Sequence, residues 1–148
     1  MTHKISEHYV LPEVAKLLHK KGFNENCGYV YHIDDDGNAT FMCVEEIPDW
    51  EDFRGALNEQ LPEGYISAPT QSMAREWIEV VHKLFIEVRC GCDVVDAKHW
   101  TGTAWFDFDL LPIGKEAIII PESDGIMTWD KPWKVVDAAL EYILKELL

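Results

Sequence analysis

The stretch that decides the fold is residues 28–44, GYVYHIDDDGNATFMCV, in which two β-forming runs flank a polar turn. Residues 28–33 and 39–44 are rich in aromatic and β-branched side chains, and the turn between them contains an Asp-Gly pair. The pattern predicts a β-hairpin. Its register stays open, because pairing across Asp36 and Gly37 and pairing across a longer bulged loop place Cys43 on opposite faces.

Three amphipathic helices are predicted around this hairpin. The first has Pro12 in its first turn and ends at Gly22, and its apolar stripe consists of Leu11, Val14, Leu17 and Leu18. The second follows Pro69, and its apolar positions recur at helical offsets at Met73, Trp77, Val80, Val81 and Leu84. The third is capped by Asp130, and its stripe consists of Trp133, Val136, Ala139, Leu140, Ile143, Leu144 and Leu147. We expect each helix to bury its apolar stripe.

Further strands are predicted between the second and third helices. Apolar residues alternate with polar ones over 86–92 and again over 100–110, and 115–120 is a third short run. The acidic segment 45–64 is interpreted as a connector with a short helix over 49–57. The order of elements predicts an α+β fold, in which an antiparallel sheet of four to five strands, as two hairpin-like units, is covered by about three amphipathic helices. Residues 1–148 are expected to form a single globular domain.

Composition argues against several classes of function. The chain has 148 residues and a formal net charge of −14, which disfavours direct binding to the phosphates of DNA or RNA. Residues 34–63 alone contain ten acids and one base. No apolar run is long enough to span a membrane, and the first residues do not have the pattern of a signal peptide. We therefore expect a soluble cytoplasmic protein that does not bind membranes.

The four cysteines are predicted to be reduced thiols rather than ligands of a metal centre. Cys27, Cys43, Cys90 and Cys92 occur without an export signal, so a disulfide framework is not expected. Cys90 and Cys92 are the weak alternative for a metal site, but they fall on the inward face of a predicted strand without two further ligands at a recognised spacing. We expect no metal site and no cofactor.

No set of residues carries a recognisable catalytic motif, so no catalytic residue is assigned. Cys27 with His99 as a base is the first enzyme arrangement to test, although Cys27 leads into a strand rather than a helix N-terminus. Asp107 and Asp109 lie on one predicted strand face, at a spacing compatible with paired acid and base chemistry. An exposed polar strand face explains them equally well.

The six tryptophans are the most unusual feature of the composition. Three fall on predicted apolar faces and are expected in the core, namely Trp77, Trp100 and Trp133. Trp50, Trp105 and Trp129 instead fall in acidic segments or on a polar strand face. Indoles in such places are typical of a binding surface, and packing beneath loops is the alternative explanation. We predict these three as binding residues.

Two segments carry a resemblance to other proteins. Residues 66–82, with the run Ala68-Pro69-Thr70-Gln71 followed by Trp77-Ile78-Glu79-Val80-Val81-His82, form one, and residues 14–23 form the other. Both resemble a group of small uncharacterised proteins from bacterial prophages and mobile elements. The resemblance implies a cytoplasmic accessory protein, and it supplies no catalytic residue.

The leading functional hypothesis is therefore a non-enzymatic protein-interaction module of mobile-element type, whose partner is another protein. One alternative is an acidic inhibitor or decoy that occupies the groove of a nucleic-acid-binding protein. The other is a small thiol- or metal-dependent enzyme that uses Cys27, or Cys90 with Cys92. The sequence gives no indication of the oligomeric state.

Overall fold

The structure is a computed structural model that describes residues 8–51, 55–92, 104–112 and 131–148. In these ranges it contains three α-helices and five antiparallel strands, which confirms the α+β class. The elements are α1 (Pro12–Lys20), β1 (Tyr29–Ile33), β2 (Ala39–Cys43), β3 (Tyr65–Ser67), α2 (Gln71–His82), β4 (Leu84–Cys92), β5 (Ala104–Pro112) and α3 (Pro132–Tyr142). A π-helical segment, Ile143–Leu147, follows α3.

The strands are divided between two sheets, one in each of two compact units. Met1–Ala74 with Leu140–Leu148 forms the first unit, and Arg75–Ala139 forms the second. The first unit contains a three-stranded sheet in the order β2-β1-β3, and the second contains the pair β4-β5. The expectation of a single domain over residues 1–148 stays a prediction.

The predicted hairpin is present, and its register is the one with the longer loop. Ile33 lies opposite Ala39 and Tyr29 lies opposite Cys43, so the loop consists of Asp34–Asn38. The Asp34 carboxylate closes this loop, since its Oδ1 accepts the N–H groups of Asp36 at 3.0 Å and Asn38 at 2.8 Å. Gly37 has a φ of 85°, a left-handed conformation that favours glycine.

A strand that the sequence does not predict follows the acidic connector. Strand β3 has only three residues and pairs with β1, with Ser67 opposite Val30 and Tyr65 opposite His32. The helix predicted over 49–57 is wrong, because the described residues of that range are not helical. Instead, short 3-10 turns form at Val44–Glu46 and at Asn58–Gln60, and Ala56 forms a β-bridge with Cys27.

Both faces of the three-stranded sheet pack against other parts of the first unit. On one face, Val30 packs with three buried residues from the chain after β2, namely Val44, Ile47 and Ala56. The other face contains Tyr31, which is buried and donates a hydrogen bond from its hydroxyl to the Val10 carbonyl at 2.6 Å. Helix α1 contacts β3.

Helix α1 follows its sequence signals closely. Pro12 occupies the first turn, and three residues facing inward are buried, namely Val14, Ala15 and Leu18. The helix ends in a Schellman motif, since Gly22 N–H donates to His19 O at 3.2 Å and Phe23 N–H donates to Leu18 O at 2.9 Å. Leu11 is exposed at the N-cap, so its place in the predicted apolar stripe is wrong.

Helix α2 is present after Pro69, but its predicted buried face is partly wrong. Val80 and Val81 are 58% and 52% exposed, whereas the buried residues are Gln71, Ala74, Trp77 and Ile78. The helix ends at His82, because Lys83 has a φ of 58° and Leu84 already belongs to β4. The buried face of α2 is therefore rotated about the helix axis from the predicted one, toward Ala74 and Ile78.

Strands β4 and β5 confirm the two alternating runs in the second unit. They pair antiparallel, with Ile86 opposite Leu110 and Glu87 opposite Asp109. Ile86 and Leu110 are buried, as the alternation predicts, and Phe85 on the opposite side of β4 is exposed. Arg75 of α2 donates a hydrogen bond from Nη2 to the Ile86 carbonyl at 2.7 Å.

The predicted run 115–120, the Asp130 cap, His99 and Trp100 lie outside the described residues. Leu140, Ile143 and Leu144 of the third predicted helix are fully buried, in agreement with its apolar stripe. Among the residues that the structure describes, no helix has the length and apolar character needed to cross a membrane.

Candidate binding surface

Three aromatic side chains form a cluster at the surface of the first unit. The ring centroids of Tyr9 and Tyr29 are 5.1 Å apart, those of Tyr9 and Phe41 are 5.0 Å apart, and those of Tyr29 and Phe41 are 5.1 Å apart. The rings of Tyr29 and Phe41 are stacked with an interplanar angle of 5°, and Tyr9 meets both at steep angles. Such distances are those of favourable aromatic pairs. We call Tyr9, Tyr29 and Phe41 the aromatic surface.

The register of the hairpin positions two of these rings. Phe41 lies opposite Tyr31 and Tyr29 lies opposite Cys43, so Tyr29 and Phe41 are diagonal neighbours on the same face. Tyr31 meets Phe41 edge-on with 5.7 Å between ring centroids, and its own ring is buried. Tyr31 therefore lies beside Phe41 on the same face of the sheet and continues the aromatic cluster into the interior.

Tyr9 reaches the cluster from outside the sheet. It forms an isolated β-bridge with Thr70, and the neighbouring Val10 N–H donates to Pro69 O at 3.0 Å. The Gln71 N–H donates to His8 O at 2.8 Å on the other side of the bridge. These hydrogen bonds hold the segment before α1 against the segment before α2, and they place the Tyr9 ring over the hairpin.

The aromatic surface is accessible to solvent. Tyr29 is 38% exposed, Phe41 is 44% exposed, and Tyr9 is half-buried. A single exposed apolar residue is normal on a protein surface, but several in contact mark an interaction site. Tyrosine and phenylalanine are also enriched in protein interfaces.

Acidic side chains flank β2, the strand of Phe41, at both of its ends. Asp34, Asp35 and Asp36 are exposed before β2, and Glu45 and Glu46 are exposed after it. The sequence has neither Lys nor Arg between Gly22 and Phe53. The surface therefore combines an apolar centre with a negative rim, and it favours a partner with the opposite charge.

The predicted binding tryptophans do not join this surface in the described structure. Trp50 is half-buried and packs against the cluster of Val30, Val44, Ile47 and Ala56, on the other face of the sheet. The backbone of Trp105 lies opposite Gly91 in the second unit, but its side chain lies outside the described part. Trp129 lies outside the described residues altogether.

Sequence reasoning missed all three members of the aromatic surface. The available signal was the pair Tyr29 and Tyr31, two residues apart on one strand, with Phe41 on the next. Because the register was open, the face on which Phe41 lies was open too. Nothing in the local sequence of Tyr9 indicates contact with a hairpin so far along the chain.

Cys27 does not have the properties of a nucleophile. Burial raises the pKa of its thiol to about 11, so the thiol is protonated at neutral pH. Its Sγ lies 3.6 Å from the Met73 thioether sulfur, in the packed interior of the first unit. Catalytic cysteines instead have lowered pKa values in accessible, electropositive places.

The other candidate chemistry is only partly described. His99 lies outside the described residues, Asp109 is half-buried, and the side chain of Asp107 is outside the described part. His82 is in edge-on contact with Trp77, and burial lowers its pKa. These residues form no described arrangement of nucleophile, base and orienting group.

The weak metal alternative also remains without a described ligand set. The backbone of Cys90 lies opposite Phe106 and that of Cys92 opposite Ala104 in the β4–β5 pair, while both side chains lie outside the described part. Among the residues whose side chains are described, no group of three or more His, Cys, Asp or Glu could hold a metal ion.

Comparisons with known proteins identify no relative. No protein-family model matches the chain, and neither a curated protein nor a solved structure matches it. The resemblance to proteins of prophages and mobile elements therefore stays a prediction.

Proposed function

We propose that this protein is a protein-interaction module that binds its partner through the aromatic surface. The observation that carries the proposal is the mutual contact of Tyr9, Tyr29 and Phe41 while Tyr29 and Phe41 remain exposed. A few large aromatic side chains supply most of the binding energy in many protein interfaces. A surface in which such rings are already held together loses little side-chain freedom on binding.

The structural setting supports a binding role over a role in folding alone. Tyr31, beside Phe41 on the same face, is already buried and hydrogen-bonded, while Tyr29 and Phe41 remain exposed. The acidic rim adds electrostatic selection of the partner. An accessory protein of mobile-element type, as proposed from the sequence, would act by such a contact.

The acidic inhibitor of a nucleic-acid-binding protein remains the second candidate. The exposed acids at both ends of β2 are the observation that favours it. An inhibitor of this kind imitates a phosphate backbone, so its complex would weaken steeply with salt. A complex held mainly by the aromatic surface would instead tolerate salt and would depend on Phe41.

The test is site-specific photocross-linking in cells. A benzophenone amino acid replaces Phe41 in one variant and Thr40 in a matched control, because both positions are exposed and adjacent residues of a strand point to opposite faces. We expect an adduct with another protein from position 41 and none from position 40. The adduct should disappear when Tyr9 and Tyr29 are both changed to Ser.

Equal adducts from both positions, or none from either, would overturn the proposal. Thermal unfolding of each variant shows whether it is folded, so that loss of cross-linking is not mistaken for loss of structure. Repeating the cross-linking in a lysate at increasing salt separates the two candidates, since the adduct of a phosphate-imitating inhibitor would be lost steeply, whereas a complex held by the aromatic surface would weaken only as far as the charges at its rim contribute.

A further inference from the structure

Strand β2 has an open edge beside the aromatic surface. In the described part of the chain it pairs with β1 alone, at the end of the three-stranded sheet. Hydrogen-bonded and non-hydrogen-bonded pairs alternate along antiparallel strands. The Val44 N–H donates to Gly28 O at 2.9 Å, so Val44 and Gly28 form a hydrogen-bonded pair. Hydrogen-bonded pairs recur at every second residue, so Met42 and Thr40 also direct their main-chain groups to β1.

The residues of β2 that alternate with Thr40 and Met42 direct their main-chain N–H and C=O groups away from β1. These are Ala39, Phe41 and Cys43, which lie opposite Ile33, Tyr31 and Tyr29. Strand β1 shows the same alternation, because its residues Ile33 and Tyr29 hydrogen-bond on the side away from β2. The Ile33 N–H donates to Gly64 O at 2.7 Å, and Tyr29 O accepts the Ala68 N–H at 3.0 Å. The N–H groups of Ala39, Phe41 and Cys43 therefore point away from β1, toward the open edge.

The edge lacks the usual protection against pairing with another strand. Natural edge strands commonly contain a proline, a charged residue or a bulge. The segment Ala39–Cys43 contains neither a proline nor a charge, and its pairing with β1 is continuous. The exposed ring of Phe41 lies at the centre of this edge.

The charges beside the edge determine what can pair with it. A second copy in antiparallel orientation would bring the exposed acids Asp34–Asp36 against Glu45 and Glu46, and a parallel copy would bring Asp34–Asp36 of both chains together. Like charges in such proximity oppose association. A strand with Lys or Arg at its ends would meet opposite charges at both ends of β2.

We propose that β2 accepts an extended segment of another protein as a fourth strand, and that this segment carries basic residues at its ends. The proposal rests on the proposed function and names the partner's chemistry and the manner of binding. The added strand would hydrogen-bond to the outward groups of β2. Every second side chain of the segment would lie on the same face as Phe41.

The dimensions of β2 set the form of the segment. A strand of this length spans roughly 17 Å, so the basic residues would flank about five residues of extended chain. Apolar side chains at alternate positions would cover Phe41 and its neighbours, while polar side chains between them would face the opposite way. The probe is therefore a synthetic peptide of alternating Val and Thr, with two Lys residues at each end.

The experiment is an NMR titration of the whole isotope-labelled chain with this peptide. We expect the amides of Ala39, Phe41 and Cys43 to shift and to exchange with solvent at least about tenfold more slowly. Thr40 and Met42 serve as internal controls, since their amides already face β1. A peptide with Glu in place of Lys should bind at least about tenfold more weakly, because it meets the acidic rim.

One pair of variants isolates the main-chain contribution. Cys43 has a φ of −73°, which proline adopts without strain, so Cys43→Pro removes an outward N–H and leaves the pairing with β1 intact. Cys43→Ala is the matched control. We expect Cys43→Pro to weaken binding of the Lys peptide about tenfold or more and Cys43→Ala to leave it nearly unchanged.

The outcomes distinguish this inference from the proposed function. If the Lys peptide binds wild type and Cys43→Pro equally, or binds without slowing exchange at Ala39 and Phe41, strand addition is wrong. If the peptide fails to bind while position 41 still gives a photocross-linked adduct in cells, the inference fails and the proposed function stands. A dimer of this chain that Cys43→Pro dissociates would also overturn the inference, because the occupant would be a second copy.

Discussion

The two faces of the β1–β2 hairpin are both apolar, yet the protein treats them differently. On one face Val30 packs with Val44, Ile47 and Ala56 and is fully buried. On the other, Tyr29 and Phe41 stack on each other and remain exposed. Since the same two strands provide both faces, the difference arises from what covers them. One face stabilises the fold, and the other presents the two exposed rings that we propose as the binding surface.

The largest expected effect tests the buried face. Val30→Ala removes two methyl groups from a fully buried position and leaves a cavity, so we expect it to lower the free energy of unfolding by about 2 to 3 kcal/mol. The adjacent Tyr29→Ala, on the exposed face, should lower it by less than about 1 kcal/mol. Urea unfolding followed by circular dichroism measures both.

Equal losses at the two adjacent positions would contradict the comparison. A small loss for Val30→Ala would mean that the connector can collapse onto the vacated space. A large loss for Tyr29→Ala would mean that the exposed ring contributes to the core.

A second prediction concerns pH and the buried thiol of Cys27. The pKa of Cys27 is raised from 9.0 to about 11 by burial, so the folded chain retains this proton where the unfolded chain loses it. Its contribution to stability is therefore complete below pH 9 and is lost as the pH rises toward 11. We expect a loss of up to about 2 kcal/mol, measured by urea unfolding across this range.

The matched variant removes the thiol alone. In Cys27→Ala the decline between pH 9 and 11 should be smaller than in wild type. Parallel curves for wild type and Cys27→Ala would show that the thiol ionises as readily in the folded chain as in the unfolded one. That result would restore Cys27 as a candidate nucleophile.

Much of the fold could be predicted because its signals are local. The hairpin, the helix at Pro12–Lys20 and the alternation of Ile86 and Leu110 depend on residue type and spacing within one element. Strand β3 could not be predicted in this way, since three residues carry no period and the strand exists through its pairing with β1. The exposure of Val80 and Val81 depends on which side of α2 is packed inward, the side of Ala74 and Ile78, and helical spacing alone does not decide that side.

The candidate site was harder to predict than the fold for a related reason. Trp50 is predicted as a binding residue because it lies in an acidic segment, but it packs against the buried cluster of Val30, Val44, Ile47 and Ala56. The aromatic surface depends on the hairpin register and on the bridge between Tyr9 and Thr70. Both are contacts between distant segments, and neither leaves a pattern in the sequence near the residues concerned.

A third prediction tests how closely the chain at Gly55 packs against Asn26 and Cys27. Gly55 has a φ of 115°, and a Cβ added there would lie 2.8 Å from Asn26 Oδ1 and 3.0 Å from the Cys27 carbonyl oxygen. We expect Gly55→Ala to lower the free energy of unfolding by about 1 to 2 kcal/mol, through backbone strain and this close approach. Urea unfolding again provides the measurement.

Gly28→Ala is the control for Gly55→Ala. A Cβ at Gly28 would meet nothing within 4 Å, and its φ lies outside the left-handed region. This change should leave stability nearly unaltered. A loss at Gly28 equal to that at Gly55 would show that neither the backbone conformation nor the contact with Cys27 determines the cost.

The smallest expected effect on stability is the most informative for function. Phe41→Ser removes the most exposed ring of the aromatic surface, so we expect it to lower the free energy of unfolding by less than about 1 kcal/mol. The same variant should weaken binding of the Lys peptide at least about tenfold, because a central aromatic contact is lost. Urea unfolding and the NMR titration measure the two effects on one sample.

The two measurements on Phe41→Ser together determine whether the ring stabilises the fold or serves in binding. If stability falls as far as in Val30→Ala, the aromatic surface is a second part of the core, and its partial exposure carries no functional meaning. If stability holds while peptide binding and the photocross-linked adduct are both lost, the chain maintains an exposed ring that folding does not need. A solvent-exposed phenylalanine at the centre of an open strand edge then has its explanation in the partner.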